Sequence, residues 1–451
     1  MIRFDPIVAF RQSRAARIGR WGVIFLACIL GPSAAFPFAD PDAQRAAGLV
    51  AACVVLWLAQ LVPVFVPTLL LLTLAPILLS ETFTASRVLG WAVDPVLPLF
   101  FGGLAMGAAA ERHGLAENLA QRVVAWSRGD RRRLVTLAML ITALLSMWLS
   151  NTAAATLMLA TLVPLADRLG DGHLRRAILL AVAAGANLGG LATPIGTAPN
   201  ALALSQLGDR APSFLAWMSL GLPLALVMLL IARGVILHQT GIAGRIETAG
   251  SNAQPTLDGR GRLVAAIIGI AVVLWLSEPL HGIDAATVAI GLAAACFASG
   301  LLERQDLQNF DWGTLLLISG GIAMGRMLDQ TGMVALLTEA MPWDTVPGWS
   351  LATAALALTM ICSAVLSNTA TATLILTAMA GIAPDRPELA IVLVLGSSLS
   401  FPFAVSTPPN AMVAGLGVGS RDLMRLGILL LVLGLAILGT VGPTLAGLIL
   451  R

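Results

Sequence analysis

The chain has no tyrosine, and because all of its basic side chains are arginine it has no lysine either. Charge of both signs is scarce: only 11 % of the 451 residues are charged. A soluble protein of this length needs a far more charged surface, so a soluble globular class is excluded. Cysteine is rare too. Cys28, Cys53, Cys296 and Cys362 all fall in apolar segments with no CxxC spacing, which excludes a disulfide framework and a thiolate metal site. No His-Glu, Cys or paired-carboxylate cluster occurs within the apolar runs, so the chain is not read as an enzyme. His113, His173, His238 and His281 fall near the ends of those runs, where a proton relay has no partner. We attribute the missing lysine and tyrosine to genome composition. The net charge of +3 is therefore uninformative, but the placement of arginine is not.

What the chain has in abundance is apolar sequence: 58 % of residues are hydrophobic and the mean hydropathy is +0.89. Apolar runs of about 17 to 25 residues recur throughout, each long enough to cross a bilayer as a helix. Lipid cannot satisfy open backbone groups, and no β-barrel alternation is present, so the fold is all-α and polytopic. The basic start RFDPIVAFRQSRAARIGR precedes a run from Trp21 to Ala39 that is read as a retained first helix rather than a cleaved signal. Expected spans are 21–38, 46–61, 64–79 and 94–111, with an amphipathic connector near 115–127. After the stretch 134–166 come 174–192, the short 201–207 and 214–237. A polar linker covers 238–262. Then follow 263–277, 283–302, 312–328, a connector near 333–341, the stretch 350–382, 387–404, the short 411–418 and 422–449.

Two stretches resist a simple span. WLSNTAAAT (148–156) and VLSNTATAT (365–373) carry the same Ser-Asn-Thr triplet in the middle of apolar sequence. A straight helix over 134–166 would be roughly 50 Å long, against an apolar core of roughly 30 Å. A hairpin that enters and leaves on one side fits better, with its tip at Ser150-Asn151-Thr152. The same holds for 350–382, tipped at Ser367-Asn368-Thr369. The arginines agree. With the N-terminus in the cytoplasm and both stretches counted as re-entrant, Arg122, Arg128, Arg131, Arg132, Arg133, Arg168, Arg175 and Arg176 all fall inside. So do Arg233, Arg245, Arg260, Arg262, Arg304, Arg421 and Arg425, while the outer loops are acidic. The result is about eleven crossings plus two hairpins that open from opposite sides, an inverted-topology repeat with a periplasmic C-terminus.

Each hairpin is followed by a second polar break, ANLGGLATPIGTAPN (186–200) and SLSFPFAVSTPPN (398–410). Proline removes a donor and glycine relaxes the backbone, so both helices should unwind there. Unwound backbone at membrane depth is tolerated only beside a cavity. Paired broken helices in corresponding positions of two halves point to a transporter's binding site. Free carbonyls with Ser, Thr and Asn oxygens suit a small cation such as Na⁺, and half-helix N-termini suit a carboxylate. No arginine lies between Arg133 and Arg168 or between Arg326 and Arg386, so a dianion there needs bound cations for neutralisation. An isolated SNT is more often helix-helix glue, but two copies at hairpin centres, each followed by a PN break, favour ligands. Trp57, Trp91 and Trp217 are read as interfacial belt. A channel fits tips meeting from opposite sides less well than alternating access.

These residues resemble the divalent anion–sodium symporter family, carriers of succinate, citrate, related carboxylates and sulfate. The resemblance rests on both SNT motifs, TPIGTAPN (193–200), STPPN (406–410), PLFFGGLAMGAAAERHGLAENLA (98–120) and TLLLISGGIAMGRMLDQTGM (314–333), and spans about 46–449. It implies a homodimer in the bacterial inner membrane that works as an elevator. By the same analogy 1–128 and 263–345 are scaffold, 129–237 and 346–451 carry the transported site, and 238–262 is a cytoplasmic linker. One sodium site is expected at Ser146, Ser150, Asn151 and the backbone at Gly196; the other at Ser363, Asn368 and the backbone at Ser406. Substrate carboxylates are expected at Ser150, Asn151, Thr152, Ser367, Asn368, Thr369, Thr407 and Pro408. Shared Ser and Asn ligands would couple ion to anion. The spacing from Ser146 to Ser150, repeated from Ser363 to Ser367, places each pair on one helix face. The sequence departs from the family pattern at Gln60, in AQLVP where an acidic residue is usual, and at Ala198, where a second proline is common. The expected function is sodium-coupled symport of a divalent carboxylate such as succinate; the alternatives are a sodium-independent dicarboxylate exchanger and a sodium-coupled sulfate transporter.

Overall fold

The computed structural model describes residues 40–59, 62–63, 65–246, 256–333, 335–336 and 347–450. The expected first span 21–38, Gln60, most of the connector 333–341, part of the linker and Arg451 lie outside the described residues. The described residues are helical, and their sole β feature is an isolated bridge between Asp130 and Arg245. The longer helices are α1 (Pro41–Ala59), α2 (Val66–Leu78), α3 (Ala85–Trp91), α4 (Val96–Arg112) and α5 (Leu115–Ser127). Next come α6 (Arg131–Ser146), α7 (Asn151–Arg168), α8 (Gly172–Gly189), α9 (Ala198–Leu207) and α10 (Phe214–Thr240). The second half holds α11 (Gly259–Leu276), α12 (Ala285–Ala298), α13 (Trp312–Gln330), α14 (Gly348–Val365) and α15 (Asn368–Ile382). The last are α16 (Glu388–Leu399), α17 (Pro408–Gly415), α18 (Ser420–Thr440) and α19 (Gly442–Ile449).

Local chemistry sets these boundaries. Side-chain oxygens of Thr84, Asp130, Ser150, Asp171, Ser213, Asp258, Asp284 and Thr407 accept from the first free N–H groups of the helices they precede. Gly241 closes α10 in the left-handed conformation that glycine adopts without strain. Among the described residues four helices, α10, α11, α14 and α18, are each long and apolar enough to cross a membrane alone. The helices α3 and α4 pass together as one candidate span broken between Trp91 and Val96. The run expected at 422–449 is divided at Val441, because Pro443 stands in the first turn of α19 and has no N–H to continue the ladder.

The chain gathers into two compact units. The first comprises Met1–Asp94, Trp312–Trp343 and Thr377–Ile382. There α2 and α13 approach so closely that a Cβ on Gly320 would stand 1.8 Å from Thr68 Oγ1, and Thr68 donates to the Leu316 carbonyl at 3.0 Å. Arg326 of α13 pairs with Asp94 at 2.6 Å and donates to the carbonyls of Trp91 and Val93, satisfying the open end of α3. Trp91, expected at an interface, is buried and donates to Gln330.

The second unit holds Pro95–Asp311, Asp344–Leu376 and Ala383–Arg451, and with them both Ser-Asn-Thr triplets and both later breaks. Helices α6, α7 and α8 pack on one another. Gly185 and Gly189 bring α8 against the backbone of α6: an added Cβ would stand 2.4 Å from the Met139 carbonyl oxygen and 2.3 Å from that of Ala143. The halves of the two broken helices cross: α8 packs on α17, and α9 on α16.

Candidate functional site

Each Ser-Asn-Thr triplet opens a helix. Helix α6 stops at Ser146 and α7 begins at Asn151; α14 stops at Val365 and α15 begins at Asn368. Ser150 Oγ accepts from Ala153 N and Ser367 Oγ from Ala370 N, each at 3.2 Å. Both serines are thus N-caps, and the positive ends of α7 and α15 lie at the triplets.

Beneath each tip sits a fully buried serine with the same partners. Ser146 Oγ lies 2.7 Å from Asn151 Oδ1 and 2.7 Å from the Ala186 carbonyl. Ser363 Oγ lies 2.7 Å from Asn368 Oδ1 and 2.8 Å from the Ser397 carbonyl. A hydroxyl has one hydrogen to donate. Each cluster therefore holds three close oxygens with one hydrogen for two acceptors. Turning the carboxamide so that its NH₂ donates satisfies it, and so does a cation among the oxygens.

The later breaks complete the pattern. Thr193 Oγ1 donates to the Met147 carbonyl at 2.5 Å, and Ser406 Oγ to the Ala364 carbonyl at 2.5 Å; each acceptor directly follows a buried serine. Asn151 Oδ1 and the Gly196 carbonyl converge over Gly190, each 2.9 Å from where a Cβ would stand. The turns are held from within by asparagine. Asn200 Nδ2 donates to the carbonyls of Gly190 and Thr193 at 3.0 and 2.9 Å. Asn410 Nδ2 donates to those of Phe401 and Phe403 at 2.8 and 3.0 Å.

The structure thus gathers Ser146, Asn151 and Gly196 into one cluster and Ser363 and Asn368 into another, with Ser406 bonded to the residue after Ser363. Ser150, Thr152, Ser367, Thr369 and Pro408 have some solvent exposure around the tips, and Thr407 is buried as the cap of α17. The two triplets make no hydrogen bond to each other among the described residues. Residues that sequence reasoning passed over are Thr193, Asn187, Asn200, Ser397, Ser398 and Asn410. The terminal Asn shared by TAPN and TPPN was the available signal. Trp217, also expected at an interface, is buried and its indole N–H reaches the Leu191 carbonyl in the first break.

Residues 54–396 match the citrate transporter family. The chain is 29 % identical over 433 residues to an uncharacterised transporter of Haemophilus influenzae, covering 90 % of this chain and 92 % of that one. It is 26 % identical to the sodium-dependent dicarboxylate transporter of Staphylococcus saprophyticus, covering 84 % of this chain and 82 % of that protein. It also resembles an inorganic phosphate transporter of Saccharomyces cerevisiae, 25 % identical over 74 % of this chain and 37 % of the yeast protein. Among solved structures, the Alcanivorax borkumensis YdaH transporter shares the fold, with a TM-score of 0.54 and 17 % identity over 80 % of this chain and 87 % of that chain.

Proposed function

This chain belongs to the citrate transporter family, a multi-pass membrane transporter rather than an enzyme, and we propose that it is a sodium-coupled symporter of a divalent carboxylate such as succinate. The observation that carries the reading is the pair of oxygen clusters around Ser146 and Ser363, each a buried hydroxyl set between an asparagine side chain and a backbone carbonyl. A hard cation without its water fits such a neutral oxygen set. The ions sit at Ser146, Ser150, Asn151 and Gly196, and at Ser363, Asn368 and Ser406. The carboxylates meet Ser150, Asn151, Thr152, Ser367, Asn368, Thr369, Thr407 and Pro408, at the positive ends of α7, α15 and α17.

No arginine pairs with these residues among those described, so the dianion is neutralised by the cations that share its ligands. Each ligand then raises the other's affinity by the same factor. In this reading the protein is a homodimer in the bacterial inner membrane, N-terminus cytoplasmic and C-terminus periplasmic. The segments 129–237 and 346–451 carry the site as an elevator past a scaffold of 1–128 and 263–345, joined by the linker 238–262. A dicarboxylate relative named for sodium dependence supports the coupling. The test is radiolabelled succinate uptake into proteoliposomes under an inward sodium gradient, repeated with choline. Accumulation that requires sodium is the expected result. Uptake that ignores sodium but needs internal succinate means an exchanger and removes the cation sites. Sulfate or phosphate uptake in place of succinate moves the substrate to inorganic dianions.

A further inference from the structure

The two oxygen clusters are linked by hydrogen bonds and the short backbone steps between them. Ser146 bonds the Ala186 carbonyl, and the next residue, Asn187, donates from Nδ2 to Asn410 Oδ1 at 3.0 Å. Asn410 Nδ2 already serves two carbonyls, so its Oδ1 must be the acceptor and the direction of the bond is fixed. One of those carbonyls belongs to Phe403, whose N–H donates to Ser406 Oγ at 3.1 Å. Ser406 in turn bonds Ala364, beside Ser363. Asn187 and Asn410 are 2 % and 1 % exposed, so water does not compete for the bridge.

The repeat supplies an internal control. Ser398 follows Ser397 as Asn187 follows Ala186, and Asn200 holds its turn as Asn410 does. The counterpart of the Asn187–Asn410 bridge is therefore Ser398 with Asn200, across the α16–α9 contact. That bridge is not made. Ser398 Oγ and Asn200 Oδ1 are both buried and have no partner among the described residues. Serine is one bond shorter than asparagine and leaves the carboxamide oxygen unmet. One diagonal carries a hydrogen bond, with Asn187 Oδ1 itself unpartnered among the described residues, and the other carries none.

We propose that the Asn187–Asn410 bridge is the element that couples the two cation half-sites, so that filling one raises cation affinity at the other. The inference rests on the sodium-coupled reading above. Both asparagines are positioning residues: they hold the backbone that presents Ala186 and Ser406 and touch no ion themselves. Neighbouring sites linked through one rigid network have a coupling that a single break removes.

The experiment is a sodium titration of initial succinate uptake by the full-length protein in proteoliposomes. Wild type is expected to respond sigmoidally. Asn187→Ser should give a shallower response of lower Hill coefficient with the sodium half-saturation raised roughly 5- to 150-fold, and a maximal rate within about twofold of wild type. The double variant N187S/S398N moves the amide to the open diagonal, opposite Asn200, and should restore the sigmoid. Ser398→Asn alone keeps Asn187 and should sharpen the response, which keeps the idea testable if N187S fails to fold. An unchanged sodium curve in N187S, or in S398N, overturns the coupling while leaving symport intact. A fall in maximal rate with an unchanged curve, unrescued by the double variant, assigns Asn187 a structural role only. Sodium-independent uptake by wild type removes both the coupling and the reading beneath it.

Discussion

Gly196 offers the sharpest test of the site geometry. Its carbonyl faces Asn151 across Gly190, and a Cβ built on it would stand 2.5 Å from the Gly190 carbonyl oxygen, 2.7 Å from the Gly190 Cα and 2.9 Å from its carbonyl carbon. All three neighbours are backbone, so no side chain can swing away. Ordinary contact begins near 3.4 Å, and Gly196→Ala must open the turn by most of an ångström. A binding constellation tolerates roughly 0.5 Å. Overpacking of this kind costs about 1 to 3 kcal/mol. Asn200 clamps the same turn through two carbonyls, so the strain cannot spread along it. Borne by the ion site, that cost is a loss of roughly 5- to 150-fold in sodium affinity. The assay is sodium half-saturation of succinate uptake in proteoliposomes, with Gly269→Ala as control, since a Cβ there meets nothing within 4 Å. Gly196→Ala with the sodium curve of Gly269→Ala would refute the placement of a cation at this turn.

Asn151→Ala and Asn368→Ala should each reduce uptake by roughly 10- to 150-fold, the worth of a hydrogen-bonding group facing a charge. Membrane insertion and gel-filtration profile should be unchanged, and normal transport by both would remove the site assignment. Arg326→Ala removes the ion pair to Asp94, which is 6 % exposed. Because Arg326 itself is 36 % exposed, the loss should be about 2 kcal/mol, below the ~3–5 of a fully buried pair, read as a lower unfolding temperature in detergent. Trp217→Phe keeps the ring but leaves the Leu191 carbonyl unmet, at about 1 kcal/mol, and should raise the sodium half-saturation by about fivefold with little change in maximal rate. A reporter fused after Arg451 should be active in the periplasm; a cytoplasmic signal would overturn the crossing count.

Much of this was legible because the relevant physics is local. Long apolar runs require helices, and the amphipathic connector expected near 115–127 is the helix Leu115–Ser127. The breaks at Ser150 and Ser367 could be placed because a cap, a polar triplet and an over-long apolar run coincide. The serines four residues earlier were legible as a repeated spacing. What lay hidden is tertiary. Nothing along the chain says that Asn187 meets Asn410, 223 residues away, or that Ser398 falls short of Asn200. Tryptophans misled for the same reason. Trp91 and Trp217 carry one N–H each, and either an interface or one buried acceptor satisfies it; the carbonyl of Leu191 and the side chain of Gln330 are invisible in sequence.

The comparison of the halves shows what the arrangement is built to conserve. The letters differ at several framework positions, Ala186 against Ser397, Asn187 against Ser398 and Thr193 against Ser406, while the buried serines, the triplets and the turn asparagines are the same. The contacts that survive are the buried serine on a carboxamide, the same serine on a carbonyl from the broken helix, and an asparagine bracing the turn. Where the carboxamide oxygen faces the serine, such a cluster is costly in the dry interior unless something positive completes it. Gly185 and Gly189 fix α8 against α6 at backbone contact, so the cluster cannot relax by spreading its helices. On the proposed reading, rigid walls around such an oxygen set would select a cation by size and charge, and a neutral site filled with cations is one that a dianion would then complete.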